Sequence, residues 1–510
     1  MAETDGGMAR IASWLIMAPA LLAAVPARAT DAAREARWAE RLGWGPSAAP
    51  DTGPAAGSDA WLRHQLDDRP DPLPPAVQAR IDAMRISREP VAALVVETDA
   101  MQRDFKAIAD PEQKKAARQA YQQAMNALAD EARERFILRA LYSPDQLRER
   151  MTWFWFNHFN VQAGKRDIRA MVGDYEETIR AHALGRYRDL LEATLRHPAM
   201  LRYLDNDQNA KGKINENYAR EIMELHSMGV GSGYSQQDVQ ELARILTGVG
   251  VSQKPDAPNL KPELQPLYQR AGLFEFNPAR HDFGTKHFLG HEIKGSGFAE
   301  VEQALDLIAD SPATAHHVSL RIATYFMGDT PPPTLVDLMA AKFRQSHGDI
   351  AEVLRTMIRS REFGGPATGG FKKPVGYTLS AVRLAYGDRD VTNARPIVNW
   401  MRQMGEGLYD HETPDGYDLS SAAWSGPGQM ATRFDIARQI GGGAARLFQS
   451  PDAAPDAPPP PSPPPPLKDS PVIAARMATL GKPTLAALGQ ARSPAEWNSL
   501  YFSSPEFMHR

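Results

Sequence analysis

Three glutamates and an arginine occur close together at positions 215–224, where the sequence reads NENYAREIME. An α-helix turns by about 100° per residue, so one continuous arc carries the polar side chains Glu216, Asn217, Arg220, Glu221 and Glu224. Carboxylates that converge in a cleft can acquire different pKa values, and one then acts as a base and another as an acid. Glycoside hydrolysis and metal-assisted hydrolysis both use such pairs. The three glutamates and the preceding Asp205 are therefore the candidate catalytic residues.

The same arc has two interpretations that involve no chemistry. It can be a solvated helix face, on which Glu216–Arg220 and Arg220–Glu224 form i,i+4 pairs worth about 0.2–0.5 kcal/mol each. It can also be a buried clamp, in which Arg220 is held between two glutamates and is costly to remove. Asn215 is suited to the N-cap of this helix and Gly229 to its C′ position. The sequence leaves all three interpretations open.

The loop before this helix resembles an EF-hand in part. Oxygen ligands stand at the first, third, fifth and last positions of a twelve-residue loop, which are Asp205, Asp207, Asn209 and Glu216. The sixth position requires glycine and is occupied by Ala210, and this mismatch favours an Asx-rich turn that caps the next helix. Calcium is thus a weak candidate ligand, and the sequence identifies no cofactor.

Two histidines have informative surroundings. His158 ends the run WFWFNH, whose aromatic residues fall on nearly every helix face. We therefore expect a core histidine that is bonded to a neighbour, and the alternative is that it pairs with the carboxylates across the core. His281 lies in a loop with Asp282 and Lys286, and loops are where functional residues concentrate. The candidate binding residues are Asn215, Asn217, Arg220, His158, His281, Asp282 and Lys286.

Composition limits the classes of function. The 510 residues carry a net charge of -4 at pH 7 and include no cysteine. Such a small net charge gives no field that would attract nucleic acid. The absence of cysteine excludes disulfides, thiol catalysis and thiolate-bound zinc. HExxH, GxSxG, Walker and Rossmann motifs are also absent, which argues against zinc proteases, serine hydrolases, NTPases and dehydrogenases.

The first 29 residues resemble an export signal. Arg10 supplies a positive charge, a mostly apolar stretch follows at 11–25, and Ala27-Arg28-Ala29 fits a cleavage site. No later segment has 18 consecutive apolar residues, so we expect no integral membrane segment after cleavage. The sequence thus predicts a periplasmic or secreted protein, and the alternative is an N-terminus that is apolar without being a signal.

Helix signals dominate the rest of the chain. Asp110-Pro111 and Ser143-Pro144 each place a capping residue and a proline before a periodic stretch, whereas alternating β patterns are scarce. The sequence predicts a mainly α, multi-helix globular domain with few or no strands. Its expected parts are the signal at 1–29, a helical lead-in at 30–100, a helical core at 101–450 with a loop insertion at 251–272, a proline-rich linker at 451–467 and a helical tail at 468–510.

Several sequence blocks resemble the bacterial DUF1800 family. The most specific is NENYARE with LDN before it, and the others are WFWFNHFNV at 153–161, YEETIRAHALGRYRDLLEATLRHPAMLRYLDN at 175–206, YSQQDVQELARILTG at 234–248, HDFGTKHFLG at 281–290 and SSPEFMHR at 503–510. The resemblance implies an exported, mainly helical protein of unestablished activity. Members are often encoded beside a DUF1501 protein, a type similar to sulfatases and alkaline phosphatases, so the resemblance also implies a partner of that type.

Two functional hypotheses follow. In the first, the protein is a carboxylate-dependent hydrolase of an envelope or extracellular polymer, with a glycan as the most plausible substrate. It requires the arc to face a concave pocket and at least one carboxyl pKa to be raised. In the second, the protein is a non-catalytic partner or scaffold for a co-exported DUF1501-type protein. It requires full pairing of the arc and a large apolar patch elsewhere.

Overall fold

The computed structural model describes residues 27–49, 56–67, 69–364, 370–454 and 456–510. The predicted export signal lies outside the described residues, apart from its last three positions. In the part of the chain that is described, no helix combines the length and the apolar character needed to cross a membrane.

The first half of the molecule is built from helices of very different lengths. They are α1 (Ala27–Leu42), α2 (Asp59–Gln65), α3 (Pro75–Ala83), α4 (Arg85–Arg88), α5 (Val91–Ala107), α6 (Pro111–Tyr142), α7 (Gln146–His158), α8 (Val172–Ala181), α9 (Tyr187–Arg196), α10 (Pro198–Tyr203), α11 (Asn217–Glu221) and α12 (Gln236–Ile245). The longest, α6, begins as predicted, because Asp110 accepts a hydrogen bond from the backbone N–H of Gln113 at 2.8 Å and Pro111 follows it.

The second half continues the helical pattern. Its helices are α13 (Phe298–Ala309), α14 (Pro312–Met327), α15 (Pro333–Gln345), α16 (Ile350–Ile358), α17 (Arg361–Gly364), α18 (Pro374–Tyr386), α19 (Arg395–Gln403), α20 (Pro427–Gly441), α21 (Pro471–Met477), α22 (Lys482–Gly489), α23 (Pro494–Phe502) and α24 (Pro505–Met508). The prediction of a mainly α fold is confirmed.

Short strands in the described residues all lie between α12 and α13. They are β1 (Val249–Val251), β2 (Gln269–Ala271), β3 (Phe274–Phe276), β4 (Lys286–Phe288) and β5 (His291–Ile293). β3 is the central strand of an antiparallel sheet in the order β1–β3–β2, and β4 pairs with β5 in an antiparallel hairpin. The segment 251–272, expected as a loop insertion, thus ends in one strand of the first sheet.

Helix α7 lies at the centre of the core. Every residue from Gln146 to His158 is buried, as the aromatic residues on nearly all its faces led us to expect. The helix packs against α1, α2, α6 and α8. Several of its polar groups bond within the protein, as when the indole N–H of Trp155 donates to the carbonyl of Ala183 at 2.9 Å. Burial on all sides therefore holds the side chains of α7 in place next to the surrounding sites.

The C-terminal helices pack on the body of the protein. Helix α21 contacts α1, and α23 contacts α20. The side chain of Asn498 is buried and donates to the carbonyls of Gly441 (3.1 Å) and Pro465 (2.8 Å). The tail at 468–510 is thus anchored both to the preceding helix and to the proline-rich stretch that leads to it.

Candidate functional site

The helix that carries the glutamates changes its winding halfway along. It begins as the single α-turn α11 and continues as a π-helix over Ile222–His226. The carbonyl of His226, at the end of the π-helix, accepts hydrogen bonds from a ring nitrogen of His158 (2.8 Å) and from the hydroxyl of Tyr187. His158 is thus a buried histidine bonded to a neighbour. Single π-turns are rare and frequently lie at functional sites.

Arg220 organises most of the polar arc. Its guanidinium donates to Glu216 at 3.1 Å and to Glu224 at 3.2 Å, and it also reaches the amide oxygen of Gln236 at 2.9 Å. Gln236, the first residue of α12, returns a hydrogen bond to Glu216 at 2.7 Å. These side chains are partly exposed. The pairs resemble the i,i+4 arrangement expected of a helix face, with α12 added as a second support.

Glu221 differs from the other glutamates of the arc. It is half-buried, and it has no hydrogen-bond or ion-pair partner among the residues that the structure describes. Burial raises the pKa of its carboxyl group, and the negative charges of Glu224 and Asp415 add to this effect, whereas Arg220 opposes it. The arc therefore contains one carboxyl group whose protonated form is favoured beside two that are paired with an arginine.

Asp415 belongs to a loop that is firmly attached to the core. The side chain of Asn160 donates to the carbonyls of His411 (3.1 Å) and Thr413 (2.8 Å), and the hydroxyl of Tyr203 donates to the carbonyl of Glu412 (2.7 Å). The carboxylate of Asp415 accepts from the hydroxyl of Thr413 and remains 61% exposed. A solvated carboxylate is thus held on a rigid loop within electrostatic range of Glu221.

A mostly buried arginine lies below this loop. Burial lowers the pKa of Arg321, and Asp415 and Asp418 counteract the shift. Its positive charge, after burial, lowers the pKa of His226 to about 3 and that of His317 to about 4. Both histidines are therefore neutral at physiological pH, and the ring of His317 bonds to the backbone of Leu225 within the π-helix.

The residues suggested as calcium ligands do not converge. Asp205 pairs with Lys165 at 3.0 Å, and Asp207 forms two hydrogen bonds with Arg166 at 2.9 and 3.1 Å. Asn209 is fully buried, and its side chain bonds to backbone and amide groups, including the N–H of Asn215 at 3.0 Å. The loop is thus held by protein groups, as expected of an Asx-rich turn. Asp205 lies at its start with a left-handed backbone, φ 57°.

His281 and Lys286 belong to a separate buried network. Both contact Glu300, His281 at 2.8 Å, and the second ring nitrogen of His281 lies 2.8 Å from the carbonyl of Thr247. Burial alone would raise the pKa of Glu300, but hydrogen bonds from His281 and Lys286 outweigh it and lower the pKa. Asp282, also a candidate binding residue, pairs with Arg244 instead (2.9 Å). The structure therefore does not bring these candidates onto the polar arc.

One group among the described residues has the geometry of a metal site, and the sequence did not reveal it. His64 lies 3.2 Å from Asp71 and 3.8 Å from Asp145, and ligand atoms of all three lie within 4.8 Å of one another. Burial, the largest effect, raises the pKa of Asp145. Nitrogen and oxygen donors of this kind suit a divalent transition metal. Because the three residues span 82 positions, no local spacing could have predicted the group.

A basic groove lies beside the loop of Asp205. Its volume is about 670 Å³, and the described residues that line it are Gln102, Phe105, Lys106, Pro111, Lys114, Lys115, Arg118, Tyr121, Gln122, Gly164, Arg166 and Arg169. Half of them are basic and none of them is acidic, in a chain whose net charge is -4. The sequence contains the adjacent pair Lys114-Lys115. Only the fold brings the segment at 102–122 and the segment at 164–169 together to line the groove.

Comparison with known proteins identifies one relationship. A family model described as "Protein of unknown function (DUF1800)" matches residues 37–509. No curated protein and no solved structure matches the chain. The similarity therefore covers both the polar arc and the helices that support it, and it carries no assigned reaction.

Proposed function

The chain belongs to the DUF1800 family, whose function is unknown, and we propose that it is a carboxylate-dependent hydrolase in which Glu221 is the general acid. One observation carries this proposal: Glu221 is the unpaired carboxyl group of the arc, with a raised pKa and with Asp415 nearby. A pair of carboxyl groups whose surroundings push their pKa values apart can divide the roles of acid and base. Glu216 and Glu224, both paired with Arg220, support the site electrostatically.

The chemistry then requires one proton transfer at each carboxyl group. Glu221 donates its proton to the oxygen that leaves, while Asp415 accepts a proton from a water molecule. The oxygen of this water forms the new bond to the reacting carbon as the bond to the leaving oxygen breaks. Solvent returns the proton from Asp415 to Glu221, because Asp415 is largely exposed. No electrons are exchanged with a cofactor in this scheme.

The basic groove supports an acidic polymer as the substrate. It has the volume of a ligand pocket, and its lysines and arginines would attract carboxylate, sulfate or phosphate groups. Glu221 and Asp415 are not among the described residues that line the groove. Its link to the arc is Arg166, which bonds to Asp207 in the loop that leads to the arc. We therefore propose an acidic glycan as the substrate class. The sequence features of residues 1–29 support a periplasmic or extracellular place of action.

The experiment that tests this proposal measures the release of reducing ends from soluble acidic polysaccharides, with neutral polysaccharides for comparison. Glu221→Gln should lower the rate by about 10²–10⁴-fold, as expected for loss of a general acid. Glu263→Gln is the control, because Glu263 is an exposed glutamate outside the arc. If both variants cleave the substrate as fast as the wild type, Glu221 is not the acid and the proposal fails.

A second candidate function is a non-catalytic partner of a DUF1501-type protein. The ion pairs of Arg220 with Glu216 and Glu224 favour it, because a purely structural face would show such pairing. Co-purification of the two exported proteins tests it. Under this hypothesis Arg220→Met weakens the complex, whereas Glu221→Gln leaves both the complex and the activity of the partner unchanged.

A further inference from the structure

A small cavity lies in the core between α1, α7, α14 and α18. Its volume is about 20 Å³, and the described residues that line it are Glu40, Gly43, Trp44, Arg150, Trp153, Tyr325, Lys372, Lys373, Val375, Gly376, Glu406 and Arg510. A water molecule needs about 10–15 Å³ measured in this way. The cavity thus has room for one particle of roughly that size and for nothing larger without rearrangement.

Positive charge exceeds negative charge around this cavity. Four of its described lining residues are cationic, whereas Glu40 and Glu406 are the acidic ones. Glu40 is already neutralised, because it pairs with Lys372 at 2.5 Å and with Arg476 at 2.8 Å. Buried charges without a counter-charge are strongly destabilising. Arg150 and Arg510 donate to backbone carbonyl groups, so Lys373 is the cation of the described lining that lacks any hydrogen-bond partner.

Glu406 does not supply a counter-charge by direct contact. One of its oxygens accepts from the indole N–H of Trp153 at 3.2 Å, and the other accepts from the backbone N–H of Val375 at 2.8 Å. It forms no ion pair with Lys373 in the described structure. Burial raises the pKa of Glu406, which further reduces its negative charge. Both hydrogen bonds fix its carboxyl group at the cavity wall.

Three of the cations surround the ring of Tyr325. The ammonium nitrogen of Lys373 lies 4.8 Å from the ring centroid, and the guanidinium carbons of Arg150 and Arg510 lie 5.3 and 5.5 Å from it. The side-chain nitrogen of Lys373 is buried and has no hydrogen-bond partner, and burial lowers its pKa to about 7, whereas Glu406 opposes the shift. The Nε atoms of Arg150 and Arg510 are buried without partners as well. Contact with an aromatic ring compensates such charges only in part.

We propose that the cavity binds a monovalent anion of halide size, held by Lys373 and by the guanidinium groups of Arg150 and Arg510. Chloride is close to water in size, whereas a tetrahedral oxyanion such as sulfate exceeds the space available. The anion would give the ammonium of Lys373 a counter-charge in a place that water reaches poorly. Lys373, Gly376 and Arg510 are partly exposed, so the cavity lies close to the surface and can be reached. This site is independent of the hydrolase proposal.

Crystals of the full chain soaked in sodium bromide provide a direct test. An anomalous difference peak is expected within hydrogen-bonding distance of the Lys373 ammonium, at an occupancy above that of bromide on the protein surface. Ordered water at that position without anomalous signal would overturn the proposal.

Thermal unfolding of the protein in chloride and in gluconate provides a second test, since gluconate is too large for the cavity. The quantity compared is the difference in unfolding temperature between the wild type and Lys373→Met. At equal ionic strength, this difference should be about 1–3 °C larger in favour of the wild type in 0.3 M chloride than in gluconate. Lys261→Met is the matched control, because Lys261 is an exposed lysine far along the chain from the cavity residues. A chloride effect of equal size in wild type, Lys373→Met and Lys261→Met would contradict specific binding.

Discussion

Glu221 follows Arg220 directly in the chain, yet the two side chains form no ion pair. Arg220 instead bonds to the residues four positions before and after it, Glu216 and Glu224. Neighbouring side chains on a helix point about 100° apart, whereas residues four apart face each other. The arginine thus forms ion pairs with two glutamates and leaves the third, half-buried, with a raised pKa. The same short helical segment thereby carries two paired glutamates and one unpaired carboxyl group that can hold a proton.

The first prediction concerns the stability of the protein with Glu221 replaced by glutamine. The folded pKa of Glu221 is raised, so the native state is penalised once this group ionises. The penalty is absent below the unfolded pKa, near pH 4.3, and grows as the pH rises through the folded pKa. We expect Glu221→Gln to be more stable than the wild type by ~0.5 kcal/mol at pH 8, allowing for solvent screening, and equal to it at pH 4. Urea unfolding at the two pH values measures the difference.

Glu216→Gln is the control for that experiment, because it weakens an ion pair instead of removing an unpaired charge. It should be neutral or slightly destabilising at pH 8. A Glu221→Gln variant that is destabilised at pH 8 would show that the carboxylate of Glu221 has a stabilising partner in solution.

The second prediction concerns acid sensitivity. Burial, with help from Arg321, lowers the pKa of His317 to about 4. Its contribution to stability is therefore complete above the unfolded pKa of about 6.5 and is lost as the pH falls to about 4. Between pH 7 and pH 4, His317→Gln should lose about 2 kcal/mol less unfolding free energy than the wild type does. Denaturant unfolding across this range measures it.

His291→Gln is the matched control for acid sensitivity, because His291 is an exposed histidine on β5. Its pH profile should run parallel to that of the wild type. Parallel profiles for His317→Gln as well would mean that His317 is not held neutral by the fold.

The third prediction concerns the buried network of Glu300. His281 and Lys286 both contact this carboxylate, and all three side chains are fully buried. Glu300→Gln would leave the buried Lys286 without its counter-charge, at a cost of about 3–5 kcal/mol. Asp435→Asn, in an exposed pair with Arg438, should cost less than about 1 kcal/mol. Equal costs in guanidinium unfolding would show that the network is not a structural clamp.

The fourth prediction concerns Gly229, which follows the π-helix and whose N–H donates to the carbonyl of Met223 within it. Gly229 has φ +90°, and an added Cβ atom would lie 2.8 Å from the Nδ1 atom of His317. Gly229→Ala should therefore destabilise the protein by about 2–3 kcal/mol, from backbone strain together with the clash. Gly231, at φ +72° with open space around it, is the matched control and should show backbone strain alone. An equal loss of melting temperature in both variants would indicate that the side chain of His317 moves aside without a measurable cost.

Local signals in the sequence predicted much of the helical framework. Ser235 caps α12, with a reciprocal bond to Asp238, three residues further along the chain. The helix of the arc begins at Asn217, one residue later than an Asn215 cap would place it. The side-chain oxygen of Asn215 nevertheless accepts a hydrogen bond from the N–H of Asn217 at 3.0 Å, as a capping residue does. Capping depends on neighbours within about four residues, which is why the sequence alone can show it.

The π-helix and the metal-like group could not be predicted in this way. The π-turn is stabilised by His158 and Tyr187, which are distant from it in the chain. Similarly, Asp415 comes close to Glu221 only through folding, although the periodicity of the arc had marked Glu221 itself as a candidate. Lys373 stands in the sequence FKKPVGY, where two lysines give no sign that one ammonium will be buried without a partner.

The contacts of Glu40 have a consequence for how the chain reaches this structure. Its carboxylate joins α1 to Lys372 and, across 436 positions, to Arg476. Loops of this length are slow to close, and proteins rich in such distant contacts fold slowly. Helix α1 therefore cannot complete its contacts until residues near position 476 have been synthesised. Until then its apolar side is exposed and can bind chaperones or aggregate.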